Sequence, residues 1–321
     1  MADTAPLALP MRALVLTGPT GSGKSAWAMR LAAELPIEII SVDSAQVYRG
    51  MEIGTAKPGA ADRARVPHHL LDIRDPAERY SAGDFVADAS VALQSIHARG
   101  KLPVLVGGTM LYLRALLRGM AALPPAEPAV RAQLDLEALQ RGWPALHAEL
   151  SSVDARAAAR IHPNDPQRIQ RALEVYRLTG RTISDWQTRT RAPLVGVQWL
   201  RYALIPGNRA QYAQQLTRRF SQMLEAGLVA EVRALYERGD LNAQLPAIRA
   251  VGYRQLWDYC AGACELERAT ALATTATAQL AKRQLTWLRS ESGFQALDPE
   301  ADSGFASLLA TLQVADARMI P

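Results

Sequence analysis

The octapeptide Gly18-Pro19-Thr20-Gly21-Ser22-Gly23-Lys24-Ser25 constrains this chain more than any other feature. It fits G-x-x-x-x-G-K-[ST], a glycine-rich loop whose backbone N–H groups wrap a phosphate chain. Its flanks agree: residues 13–17 read as a buried strand and residues 25–34 as the helix that follows. A helix N-terminus carries unpaired N–H groups and partial positive charge, so a strand–loop–helix of this kind binds anions. Lys24 would reach terminal phosphate oxygens, and the Ser25 hydroxyl would ligate Mg²⁺. The loop specifies a phosphate ester without saying which one.

The rest of the first third alternates strand and helix. Short apolar runs at 37–42 and 103–106 read as strands, and residues 85–98 and 110–117 have helical spacing. That alternation predicts a P-loop-type α/β fold, a parallel sheet covered by helices. Ligands bind such sheets beyond the carboxyl ends of the strands. The three loops 18–25, 43–46 and 107–109 are therefore expected to converge on one crevice. The pattern changes near Leu123-Pro124-Pro125, and from 130 to about 189 only helical periods occur. Residues 1–120 are thus expected to begin the core, 121–191 to form an all-helical insertion, and 192–321 to complete the core with mostly helices. In that last part a strand is predicted over 197–205 and helices over 209–225, 228–238 and 265–289, with Gly227 and Gly239 as helix stops.

Composition narrows the setting. No window of about eighteen uncharged apolar residues occurs, so no membrane span is expected. Residues 1–10 lack a basic stretch and a sustained apolar run, so no secretory signal is expected. The two cysteines, Cys260 and Cys264, stand one helical turn apart and cannot by themselves make a structural zinc site. They suit a reducing cytoplasm. Net charge is +5, and the surplus is local: residues 154–191 hold eight arginines against four acids. Such a segment points toward a nucleic-acid surface more than toward a merely solvated face.

Asp43 ends a strand beside the phosphate loop. From position alone it could hold Mg²⁺ through water, act as a general base, or cap the next short helix. The surrounding residues add more. The run Asp43-Ser44-Ala45-Gln46-Val47-Tyr48-Arg49-Gly50-Met51-Glu52-Ile53-Gly54-Thr55-Ala56-Lys57-Pro58 closely resembles the signature of the tRNA dimethylallyltransferase (tRNA isopentenyltransferase) family of bacteria. So do Val66-Pro67-His68-His69-Leu70-Leu71-Asp72, Gly107-Gly108-Thr109-Met110-Leu111-Tyr112, the stretch 165–174, Arg249-Ala250-Val251-Gly252-Tyr253-Arg254 and the stretch 279–287. These blocks stand in family order over residues 14–289. The family often has Arg where Ala45 stands, which bears on one tRNA contact and not on the chemistry.

The resemblance implies transfer of a dimethylallyl group from dimethylallyl diphosphate to N6 of adenosine 37 in tRNA, beside the anticodon. It implies an Mg²⁺-dependent, monomeric, cytoplasmic enzyme that flips the adenine into a channel. Asp43 would accept the N6 proton, and Lys24, the loop N–H groups and Mg²⁺ on Ser25 would stabilise the leaving diphosphate. Thr109 corresponds to a residue at the reacting centre, bonding the bridge oxygen or the metal shell, and Arg219 to one near the diphosphate. Contacts to the tRNA anticodon stem-loop are implied for Asp43, Ser44, Ala45, Gln46, Thr109 and Arg131. They are implied also for Gln167, Arg168, Ile169, Gln170 and Arg171, and for Arg249, Ala250, Val251, Gly252, Tyr253 and Arg254. In the helix starting near 167, Ile169, Ala172, Leu173 and Tyr176 share one apolar side. Arg168 and Arg171 lie off it, three apart, where they would meet RNA together.

Two other function classes fit the loop. One is a small-molecule or nucleotide kinase using ATP. It is weakened because the strand 104–106 ends in Gly107-Gly108 rather than an acid. The other is a nucleotide-gated RNA-binding module, which leaves Asp43 and Thr109 idle. His68 and His69 diverge in an extended chain and suit structural roles. Trp27, Trp257 and Trp287 sit on apolar helical faces and are expected in the core. The tail after Gly293 carries no recognisable chemistry.

Overall fold

The computed structural model describes residues 11–121, 123–188 and 194–317, with side chains described as far as 313. Arg189 and Arg191 of the arginine-rich segment lie outside the described residues, as does Ala122. The chain divides into two compact units, one formed by residues 1–113 with 194–321, the other by residues 114–193.

The larger unit begins β1 (Met11–Thr17), α1 (Lys24–Glu34), β2 (Ile37–Val42), α2 (Ala60–Arg65), β3 (His68–His69), α3 (Ala82–Ala98) and β4 (Leu102–Gly107). Helix α4 (Met110–Arg118) runs across the division. The smaller unit carries α5 (Pro128–Arg141), α6 (Trp143–Val153), α7 (Ala155–Ala158), α8 (Pro166–Thr179) and α9 (Ile183–Gln187). The chain then returns through β5 (Val197–Leu204), α10 (Arg209–Glu225), α11 (Leu228–Glu237), α12 (Tyr253–Cys260), α13 (Leu266–Ser290), β6 (Gln295–Leu297) and α14 (Asp302–Ala317).

Among the described residues the six strands form one sheet in the order β3-β2-β4-β1-β5-β6, every pair parallel. The central strand reads Met-Arg-Ala-Leu-Val-Leu-Thr and is buried along nearly its whole length. A strand apolar on both faces needs cover on both, which parallel crossovers supply. Leu14, Leu16, Trp27, Leu31, Val104 and Tyr202 meet in one core cluster.

The tail proves structural. Its segment β6 adds the edge strand beside β5. Phe305, Leu308 and Leu312 of α14 join the same core, with Phe305 edge-on to Trp27 at 5.3 Å. The two-residue strand β3 was equally invisible in the sequence. His68 and His69 pair with Ile39 and Ile40, and the His69 ring bonds the Glu38 carboxylate at 2.7 Å.

The smaller unit has its own core, built from Leu134, Leu146, Leu150, Ile169, Ala172 and Leu173 with Ala157 and Ala158. Its caps are local: Asp165 accepts from the Arg168 amide at the start of α8, and Gly180 ends that helix. No helix among the described residues is long and apolar enough to cross a membrane.

Candidate active site

The carboxyl ends of β1, β2 and β4 are stitched together. Thr17 Oγ1 donates to the Gly107 carbonyl at 2.9 Å, and the Thr109 amide to Val42 at 3.2 Å. Only glycine fits at 107, because a Cβ there would lie 2.1 Å from the Val42 oxygen. The three loops that leave these ends line one cavity of about 930 Å³, together with residues of α10 and α13.

The phosphate loop makes one wall. Gly23, at φ 82, occupies the left-handed region that lets the chain enter α1 at Lys24. Lys24 Nζ donates to the Pro19 carbonyl at 2.6 Å. Burial foremost, and Arg219 next, bring the Lys24 pKa down to about 7, with Asp43 pulling the other way. Burial also lowers the Arg219 pKa, again opposed by Asp43. Two cations made less stable in one place describe a site that favours an anion. The Ser22 hydroxyl is buried within the loop and has no hydrogen-bond partner among the described residues.

Arg219 is therefore no solvated helix charge. It is half-buried, and its guanidinium donates to Thr20 Oγ1 at 3.1 Å. Tyr212 donates to the Thr20 carbonyl at 2.5 Å, and the Thr20 amide donates to Gln284 Oε1 at 2.8 Å. Gln284 and Tyr212 were not singled out in the sequence. Gln284 stands in a recognisable block, and its burial on a polar helix was the missing signal.

The other wall is the turn after β2. Asp43 Oδ1 accepts from the Ala45 and Gln46 amides at 2.8 and 3.3 Å. One oxygen of Asp43 thus caps a turn, not the short helix the sequence allowed, and Oδ2 takes no bond from the described residues. Thr109 Oγ1 accepts from the Ser44 amide at 3.0 Å, which sets Thr109 beside Asp43. The Gln46 amide is fully engaged, donating to the Thr55 and Ala56 carbonyls and accepting from the Ser41 hydroxyl. Glu231 secures the end of this segment by accepting from the amides of Glu52, Ile53 and Gly54 at 3.0, 2.8 and 3.2 Å. Lys57 is tied to Tyr48, Glu52 and Asp72.

Among the described residues no cluster of three or more His, Cys, Asp or Glu could hold a metal. Serine hydroxyl and carboxylate oxygens are nonetheless the hard donors that Mg²⁺ takes, usually few in number and completed by water and substrate phosphate. Ser25 is exposed at the cavity, and Asp43 and Thr109 line it too.

Several sequence expectations need correction. Ile169 is fully buried in the core of the smaller unit, so its side chain cannot meet RNA. Arg171 does not share an exposed edge with Arg168. It donates to the buried Glu174 carboxylate at 2.7 Å and to the Pro124 carbonyl at 2.6 Å. Arg131 forks onto the same carboxylate at 2.8 and 3.0 Å. Burial would raise the Glu174 pKa, but these guanidinium bonds outweigh it and hold it below the ordinary range. Arg177 is likewise bound to Glu137 and Glu149. Arg168 stays open, 71% exposed beside Asp165, while Gln170 donates to Asp135. Of the block 249–254, Arg249 and Arg254 are exposed, Ala250 and Val251 line the cavity, and Gly252 is a buried turn with φ 92. Tyr253 is wholly buried and donates to Glu231 at 2.5 Å. Trp27 and Trp257 are buried as expected, but Trp287 lines the cavity.

Known proteins resemble this chain along most of its length. A family model described as IPP transferase matches residues 46–291. A tRNA dimethylallyltransferase of Thioalkalivibrio sulfidiphilus is 58% identical over 288 residues, 90% of each chain. One from Methylococcus capsulatus is 56% identical over 279 residues, 87% of this chain and 89% of the other. The crystal structure of a tRNA isopentenylpyrophosphate transferase from Bacillus halodurans superimposes with a TM-score of 0.69. It has 36% identity, over 94% of this chain and 96% of that one. A eukaryotic dimethylallyltransferase acting on tRNA gives a TM-score of 0.79 at 26% identity, over 97% of this chain and 80% of that one.

Proposed function

Because the chain belongs to the IPP transferase family, we infer that its crevice transfers the prenyl group of a prenyl diphosphate to a base of tRNA and releases diphosphate. The protein is an enzyme, a tRNA prenyltransferase. Its donor in this reading is dimethylallyl diphosphate and its acceptor is N6 of adenosine 37. One observation carries the assignment of roles. Lys24 and Arg219, both held below their ordinary pKa by burial, face one cavity with Asp43 as the carboxylate in their field.

The chemistry follows from those groups. The N6 lone pair of adenine is delocalised into the ring and attacks poorly. As N6 bonds to C1 of the dimethylallyl group, the C1–O bond breaks and diphosphate leaves. Asp43 Oδ2 takes the proton that N6 must lose, while Oδ1 stays fixed by the backbone of its own turn. Lys24, Arg219 and the loop amides stabilise the charge that grows on the leaving group. Ser25 and Thr109 are the residues that would hold Mg²⁺, which when bound supplies further charge to the diphosphate oxygens. Thr109 also fixes the Asp43 turn through Ser44.

Arg168, Arg249 and Arg254 are the exposed cations through which the chain would grip the anticodon arm. Arg131 and Arg171 act instead by holding their unit together around Glu174. The enzyme works as a monomer in the cytoplasm in this reading. Incubation with Mg²⁺, dimethylallyl diphosphate and unmodified tRNA, followed by mass spectrometry of nucleosides, tests it. A gain of one C5H8 unit on adenosine is expected, and its absence overturns the assignment.

A further inference from the structure

We propose that Gln284 is a positioning residue that sets the spacing between the leaving-group cradle and the Asp43–Thr109 wall. The inference rests on the prenyl-transfer reading. Gln284 lies on α13, is only 8% exposed, and spends its amide on two loops. Its oxygen accepts from the Thr20 amide at 2.8 Å, and its nitrogen donates to the Gly108 carbonyl at 2.8 Å. The amide's orientation is forced, since an N–H needs an acceptor and a carbonyl needs a donor.

Both loops are committed to this bridge. At Gly108 a Cβ would come within 2.5 Å of the Gln284 nitrogen, so any larger residue there would push the amide off this bridge. The next residue is Thr109, whose hydroxyl holds Ser44 beside Asp43. On the other side, the amide, carbonyl and hydroxyl of Thr20 are all taken, by Gln284, Tyr212 and Arg219. Thr20 therefore works as the handle by which α10 and α13 hold the phosphate loop. One side-chain amide thus joins the loop that binds the leaving group to the loop that fixes the base. Displacing reacting groups by about 1 Å costs around a hundredfold in rate, so such a bridge matters to turnover more than to binding.

The test compares the wild-type protein with Gln284→Met and Gln284→Glu. Methionine matches the length and removes both hydrogen bonds. Glutamate keeps an acceptor for Thr20 but turns a second oxygen on the Gly108 carbonyl. In both variants kcat for tRNA prenylation should fall about tenfold to a hundredfold. Affinity for inorganic pyrophosphate should stay within about threefold, because the loop's own donors are untouched. Thermal midpoints measured alongside identify a folded variant, and if Gln284→Met does not fold, Gln284→Glu decides. Unchanged kcat in a folded variant overturns the proposal. So does an equal fall in kcat and pyrophosphate affinity, which would make Gln284 part of the cradle itself. If the wild type transfers no prenyl group, the functional reading fails and takes this inference with it. Transfer by wild type and variants alike sinks the inference alone.

Discussion

The Lys24 ammonium donates to the carbonyl oxygen of Pro19, five residues earlier in the same loop, at 2.6 Å. The lysine thus closes the loop on itself with one of its three hydrogens and keeps two for an anion. Burial has brought its pKa to about 7, so the cradle's charge depends on pH near neutrality.

That dependence has a definite sign. A bound diphosphate favours the charged ammonium and raises its pKa. Below about pH 7 the free lysine already carries its proton; above it, binding must take one up. Pyrophosphate affinity of the wild type should therefore fall as pH rises above 7, by up to about tenfold per unit. Lys24→Arg, whose guanidinium stays charged, should lack that component. Titration calorimetry in two buffers of different ionisation enthalpy measures the proton uptake. Parallel pH profiles for the two proteins would show that Lys24 does not titrate there.

Asparagine at 43 separates the two jobs of Asp43. Its side-chain oxygen still accepts from the Ala45 and Gln46 amides, so the turn survives, while the basic oxygen is gone. Asp43→Asn should lower kcat by about 10²–10⁴, the span of a lost general base, with pyrophosphate binding nearly unchanged. Near-normal turnover would leave Asp43 with the cap alone.

The two α8 arginines should respond differently. Arg168→Gln removes an exposed cation and should flatten the salt dependence of tRNA binding by about 0.7 for each phosphate no longer neutralised. Its thermal midpoint should not move. Arg171→Gln strips a charged hydrogen bond from buried Glu174 and should cost about 1.5–3 kcal/mol of stability. Identical melting and identical salt slopes for the two variants would contradict this division.

Glu38 makes a separate acid-sensitive joint. Hydrogen bonds from Arg99 above all, with His69 and Lys101 and against the cost of burial, lower its pKa from 4.5 to about 2. A carboxylate lowered on folding stabilises the protein above its unfolded pKa, and the benefit is lost as pH falls from 4.5 toward 2. Glu38→Gln should melt lower at pH 7, by about 1–3 kcal/mol, and should lose less stability than wild type across that acid window. Denaturant melts at stepped pH measure this, and equal acid profiles would refute it.

Much of the fold was legible because its signals are local. The run 13–17 followed by a glycine loop could only be a buried strand feeding a helix, and the structure has it as β1 and α1. Helix α10 was readable to its ends from periodicity, and the structure adds that Asn208 caps it. The strands β3 and β6 were not, since two or three residues have no period to read. They exist because β2 and β5 offer them free edges.

At the site, position alone picked out the phosphate loop and the acid after β2, and the resemblance to the family picked out the threonine after β4. Each belongs to a short contiguous motif. The sequence could not say which arginines are open to solvent. Arg168 and Arg171 are alike in type and both lie off the apolar stripe, yet one is open and the other is fastened to Glu174. The difference arises on folding, because an ion pair depends on which carboxylate is buried beside it. The same holds for Gln284, whose two partners are 264 and 176 residues away in sequence. A helical pattern specifies which side is apolar. What a polar side chain bonds is set by the elements that fold against it, where leaving a buried polar group unpaired would cost more than the bond itself contributes.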